Sequence, residues 1–288
     1  MSATRRPPLC KASDVNSKAL DVSPQVLSNA RMDSRELFDL TGKVAVITGG
    51  AGDIGKVYAE ALSDAGASVV VADLDIDAAR KVSDSLVRRG VIAMATRVDV
   101  TRAESAAEMA AAAVAAYGGI DILINNAAIM TDLPPYGLSS IPVPEWDRVI
   151  DVNLRGPLLC TQAVVASMTS RGGGRIINGL SAGAFMAGGI YSVSKYGLHG
   201  LTASLAVELG PRGINVNAIA PGLVASKSGY VSLPEESPVR ESLGAQIPGK
   251  TSGPPEDLVG TMLLLCSGAG DWINGQTISV DGGWIMRL

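Results

Sequence analysis

Short, mostly apolar runs recur along this chain at the spacing of alternating strands and helices, and nothing else in it restricts the fold as strongly. Residues 43–48 (KVAVIT), 68–73 (SVVVAD), 91–98 (VIAMATRV), 120–125 (IDILIN), 174–179 (GRIING), 213–219 (GINVNAI) and 276–280 each read as a strand. Helical patterns fill the intervals at about 54–66, 76–89, 102–117, 144–170, 191–209 and 255–267. Strands that are apolar on both faces must be covered on both faces. That happens when parallel strands are joined by crossover helices. The expectation is an α/β protein built on a doubly wound parallel seven-stranded sheet with helices on both faces.

Residues 1–40 break from this pattern. They are polar, carry Pro7-Pro8 and the acids Asp14, Asp21 and Asp33, and allow at most a short helix near 33–40. An N-terminal tail over 1–40 and a single domain over 41–288 follow. No apolar run approaches the ~20 residues that span a bilayer, and the first 40 residues hold no signal-peptide stretch. A cytoplasmic protein is expected. The net charge of −4 and the absence of any long Lys/Arg cluster argue against a nucleic-acid partner. Cys10, Cys160 and Cys266 are odd in number and far apart, and His199 is the one histidine. Neither a disulfide framework nor a metal site is expected, and His199 reads as structural.

The turn between the first strand and the first helix reads TGGAGDIG at 48–55. Gly49, Gly52 and Gly55 permit a tight turn and a close backbone approach to a pyrophosphate, which the helix N-terminus then stabilises. Asp73 ends the second strand, about 20 positions on, where a carboxylate can accept from an adenosine ribose diol and repel a 2′-phosphate. Asp75 adds negative charge, and 48–55 holds no Arg or Lys. The bound nucleotide is therefore expected to be NAD(H) rather than NADP(H). A plain helix cap is the alternative for Asp73, as it is for Asp99, which ends the third strand and could meet the adenine edge.

Residues 191–195 read YSVSK, so Tyr191 and Lys195 share a helix face. A cation beside a phenol favours the phenolate, and a nearby hydroxyl, Ser181, can donate to a carbonyl oxygen. The combination suggests alcohol–carbonyl redox chemistry with the tyrosine as acid and base.

In order along the chain stand TGGAGDIG, Asp73, Asp99, NNAA at 125–128, Asn153 in DVNLRGP, Ser181, YSVSK, NAIAPG at 217–222 and VDGGW at 280–284. Jointly these resemble the short-chain dehydrogenase/reductase family over about 42–288. The resemblance implies a Rossmann fold and an oxidoreductase with NAD as cofactor. It implies that Tyr191 exchanges a proton with the substrate oxygen and that Lys195 holds ribose hydroxyls. Ser181 would orient the substrate, and Asn153 would anchor a water joining Lys195 to solvent. Gly49, Gly52, Asp53, Ile54, Gly55, Asp73, Leu74, Asp99, Val100, Asn125, Ala127, Pro221, Gly222 and Val224 would line the cofactor with Tyr191 and Lys195. It also implies a homo-oligomer, a dimer or a homotetramer.

Three positions depart from the family pattern. Asp53 stands where a glycine is usual and would repel a pyrophosphate. Ala128 replaces the glycine of NNAG, at a cost of about 1 kcal/mol if that residue needs φ > 0. The loop from Ser181 to Tyr191 is short, and at the more usual spacing Asn178 would be the serine's counterpart. Loops at 131–143 and 222–254 are candidate substrate lids. Ala184, Phe185, Met186, Ile190, Met130, Tyr136 and Tyr230 suggest apolar walls and a lipophilic or cyclic secondary alcohol or ketone. An NADPH-dependent 3-oxoacyl-thioester reductase and a catalytically inactive nucleotide-binding regulator are the competing readings.

Overall fold

The computed structural model describes residues 33–186, 188–227, 229, 236–250 and 252–286. Ser34–Leu288 form one compact unit. Seven strands make a single sheet: β1 (Val44–Thr48), β2 (Ser68–Asp73), β3 (Ala93–Arg97), β4 (Ile122–Asn125), β5 (Gly174–Gly179), β6 (Ile214–Pro221) and β7 (Thr277–Val280). Every pairing is parallel, and the order is β3-β2-β1-β4-β5-β6-β7. The strand order reverses between β1 and β4, so a crevice opens at their carboxyl ends.

The strands' period of two sorts their side chains into two cores. Val44, Val46, Val70, Leu123, Ile176 and Val216 face one layer, packed by α3 (Ala103–Tyr117), α5 (Gly156–Ser170) and α6 (Ile190–Leu209). Ala45, Ile47, Val69, Val71, Ile124 and Ile177 face the other, packed by α1 (Asp53–Asp64), α2 (Ile76–Arg88) and α8 (Val259–Cys266). Both faces of β1 are fully buried, as its unbroken apolar run requires.

Three details differ from the sequence expectation. The helix expected over 144–170 is two helices, α4 (Val143–Ile150) and α5, joined by a π-helical turn at Asp151–Arg155. Pro157 explains the break, because it has no N–H to offer the carbonyl of Asn153 four residues earlier. Strand β6 runs two residues past its expected end, since Pro221 pairs with Val280. A short helix, α7 (Pro238–Gly244), lies within the second long loop. Within the stretch where the sequence allows a short helix, Glu36–Phe38 form a 3₁₀ turn, and Leu40 is buried with its N–H on the Ala65 carbonyl. Residues 1–32 lie outside the described residues, as does Tyr230.

Candidate active site

The glycine turn is shaped by what cannot fit in it. Gly49 takes φ +61°, and a Cβ there would lie 2.8 Å from the Cα of Ala127. A Cβ on Gly55 would lie 2.3 Å from the Gly49 carbonyl oxygen. Thr48 and Asn126 lock the turn to β4: the Thr48 hydroxyl accepts from the N–H groups of Asn126 and Ala127, and Asn126 Nδ2 donates to the Gly49 carbonyl at 2.9 Å. The first three N–H groups of α1, on Asp53, Ile54 and Gly55, have no intrahelical acceptor. A glycine-lined cradle at a helix N-terminus fits a pyrophosphate.

The acids beside the cradle are each held by backbone. Asp73 accepts from Ala51 N at 3.0 Å and from Asp75 N at 3.1 Å, so it buttresses the glycine turn. The cap of α2 is Asp75, which accepts from Asp77 N and Ala78 N. Asp99 accepts from the N–H and hydroxyl of Thr101, and those bonds, the hydroxyl's first, hold its carboxyl below the ordinary carboxylate range. Asp53 accepts from the N–H of Lys227 at 2.6 Å.

On the other side of the crevice, α6 carries Tyr191 and Lys195 one turn apart. Burial pushes the Tyr191 phenol up, and a hydrogen bond with the Ser181 hydroxyl pulls it back. Ser181 also caps the 3₁₀ turn at Ala182–Phe185 through Gly183 N. Asn178 is fully buried within the sheet, joined to Asn125 Nδ2 and to the Thr202 hydroxyl, so Ser181 is the one beside the phenol. Lys195 is buried and donates to the Gly179 carbonyl at 2.6 Å. Its nitrogen is 5.8 Å from the Tyr191 ring centroid, and burial lowers it to about 8. The expected pull of Lys195 toward the phenolate therefore gives way here to burial, which favours the neutral phenol.

Asn153 sits in the π turn with its amide fully committed. Its Oδ1 accepts from Ile129 N at 2.7 Å, and its Nδ2 donates to Ile129 O and to the Ser194 hydroxyl. Both amide hydrogens are used, so the side chain ties the β4 loop to α6.

Comparison with known proteins gives this geometry its family. A family model described as enoyl-(acyl carrier protein) reductase matches residues 49–285. The chain is 43% identical over 251 residues to an uncharacterized oxidoreductase of Mycobacterium tuberculosis, covering 87% of this chain and 100% of that one. It is 38% identical over 253 residues to dehydrogenase/reductase SDR family member 4 of Bos taurus, covering 86% and 89%. The chain is a short-chain dehydrogenase/reductase. Two solved structures of this family's fold bracket the cofactor question. A 7α-hydroxysteroid dehydrogenase complexed with NADH and 7-oxo glycochenodeoxycholic acid matches with TM-score 0.83 and 32% identity over 89% of this chain and 100% of that one. A gluconate 5-dehydrogenase from Burkholderia cenocepacia in complex with NADP and tartrate matches with TM-score 0.83 and 30% identity, again over 89% and 100%.

A cavity of about 490 Å³ gathers most of the expected dinucleotide site of this short-chain dehydrogenase/reductase. Gly49, Gly52, Asp53, Ile54, Asp73, Leu74, Asp99, Val100, Ala127, Pro221, Tyr191 and Lys195 all line it. Gly222 and Val224 line a separate cavity of about 150 Å³ beneath the loop after β6. Gly55, Asn125, Asn153 and Ser181 are not among the lining residues. Gly55 serves the turn, and Asn125 faces into the sheet toward Asn178. Its neighbour Asn126 reaches the cavity instead, as strand alternation dictates, and sequence reading missed it. Of the expected substrate walls among the described residues, only Met130 lines the cavity, joined by Ile129, Val152, Leu180 and Ile219. Phe185 instead packs edge-on against Tyr196 and His199. His199 bonds to the Thr277 hydroxyl through Nδ1, a structural role. Ala128 costs nothing in backbone strain, since among the described residues only glycines have positive φ.

Proposed function

We propose that this short-chain dehydrogenase/reductase interconverts a lipophilic or cyclic secondary alcohol and its ketone with NAD(H), using Tyr191 as general acid and base. The observation that carries this reading is one cavity shared by the Tyr191–Lys195 pair, the glycine cradle and Asp73. When bound, the nicotinamide supplies or accepts the hydride. The chain's own contribution is a proton and an orientation. Tyr191 exchanges the proton at its phenol oxygen, and Ser181, hydrogen-bonded to that phenol, steadies the reacting oxygen. Lys195 would leave the Gly179 carbonyl for ribose hydroxyls.

Three carboxylates, Asp53, Asp73 and Asp99, line the cavity, and their charge disfavours a 2′-phosphate. Apolar Ile129, Met130, Val152, Leu180 and Ile219 favour a lipophilic substrate. The hydroxysteroid dehydrogenase with NADH supports the same choice, and the gluconate enzyme with NADP marks the competing one. Val193, Tyr196 and Val207 are exposed on α6, which supports a dimer or tetramer. No helix among the described residues is long and apolar enough to cross a membrane, and a cytoplasmic location is our reading.

A panel of secondary alcohols and ketones assayed at 340 nm with both nicotinamide cofactors tests the proposal. Turnover with NAD(H) that Tyr191→Phe abolishes, with NADH binding kept, is the expected result. A clear preference for NADPH would overturn the role given to Asp73. Wild-type rates in Tyr191→Phe would overturn the mechanism.

A further inference from the structure

Asp53 opens α1, yet its carboxylate does not turn back onto its own helix. Its Oδ2 accepts from the backbone N–H of Lys227, 174 residues along the chain, at 2.6 Å. Asp53 and Ser226 line the same cavity, so this hydrogen bond joins its α1 side to the segment that leaves β6. That segment, residues 222–227, is anchored on its far side. Gly222 N donates to the Val280 carbonyl, Ala225 N donates to the Gly253 carbonyl, and Gly253 N donates to the Leu223 carbonyl. Toward α1 its tie is the Asp53 carboxylate. A bond to an ionised acceptor is shorter and stronger than a neutral one. Ser226, one residue before the tie, is buried.

We propose that Asp53 is a positioning residue that straps residues 222–227 across the cavity and so sets how fast a nicotinamide dinucleotide leaves it. The proposal rests on the cofactor reading given above. A dinucleotide that lies on the glycine cradle is beneath the strap, and its exit requires the Asp53–Lys227 bond to open. The same carboxylate that would repel a pyrophosphate thus has its charge partly engaged by a backbone donor.

Stopped-flow release of NADH, followed by its fluorescence during a chase with excess NAD, reads this directly. Asp53→Ala removes the acceptor and should release NADH about tenfold faster. Asp53→Asn keeps an oxygen in place and should stay within about threefold of wild type. Lys227→Pro removes the donor with Asp53 intact and should match Asp53→Ala. Equal release from the alanine and asparagine variants would make charge, not the strap, responsible and overturn the proposal. So would release from both Asp53→Ala and Lys227→Pro at the wild-type rate. Wild-type protein that binds neither NADH nor NADPH would overturn the cofactor reading and the strap with it, which separates the two failures.

Discussion

The Lys195 ammonium donates to the carbonyl oxygen of Gly179 at 2.6 Å, on the β5 side of the crevice, and not to the phenol one turn earlier on α6. Its charge is therefore held by a backbone dipole inside the protein. Burial lowers its pKa from the usual 10.5 to about 8.

That depression makes stability depend on pH in a known direction. Between the folded value near 8 and the unfolded value near 10.5 the unfolded chain binds more protons, so stability rises with pH across that window. Below it the full cost of the buried ammonium is present. Lys195→Met removes the group. The difference in unfolding free energy between wild type and this variant should move toward wild type by about 2 kcal/mol from pH 7 to pH 10. Urea melts at several pH values measure it, and a flat difference would mean the lysine titrates normally in the fold.

Ser181→Ala removes the hydrogen bond that pulls the Tyr191 phenol down. The alkaline-rising limb of kcat/KM for alcohol oxidation should move to higher pH, and turnover at neutral pH should fall roughly 100-fold. A pH–rate profile beside that of wild type reads both effects. Asn178→Ala should leave the position of that limb unchanged.

Gly55→Ala places a methyl 2.3 Å from the Gly49 carbonyl, a backbone atom that cannot swing aside. The turn must deform at a cost of about 1–3 kcal/mol. NADH titration by fluorescence should lose its binding signal, while thermal melts should still report a folded protein.

Asn153→Ala strips hydrogen bonds from the N–H and carbonyl of Ile129 and from the Ser194 hydroxyl. Leaving partly buried backbone groups unmet should cost about 3 kcal/mol of stability. Because Ser194 also donates to the Tyr191 carbonyl, kcat should fall as well. Chemical denaturation and steady-state kinetics check the two parts separately.

Arg171→Ala acts at the opposite end of the strands. Asp121 is buried just before β4, where it accepts from Arg171 Nε and from Val44 N at 2.9 Å each. Removing the guanidinium should cost about 2–3 kcal/mol by leaving a buried carboxylate short of a partner. NADH affinity should not change, since the nucleotide cavity lies at the carboxyl ends.

The sheet was legible because burial on both faces leaves a mark that needs no neighbours: β2 and β5 stand at the expected residues. Contacts between strands left no such mark. Asn125 and Asn126 are equivalent in the sequence, and only the pleat decides that the second faces Gly49. Thr48 looked like the end of a strand, and its work on two N–H groups depends on β4 lying beside β1. Phe185 looked like a pocket wall because it adjoins Ser181, but Tyr196 and His199, three residues apart on α6, offered it an aromatic seat. Helix α7 was readable in principle, from Ser237 before Pro238 and Glu241 in its first turn.

The π turn at Asp151–Arg155 has a consequence for how this chain tolerates change in length. A π turn holds one residue more than the α-helical turn it replaces. Excising a single residue from 151–155 would convert it into ordinary helix without shortening the loops. Because the extra residue is already accommodated within one turn, α4 would keep its phase relative to α5 after the excision. What would be lost is the bulge itself, from which the Asn153 amide reaches both Ile129 and Ser194. The loss of one codon here would leave both helices in register and still cost the site the turn that ties the β4 loop to α6.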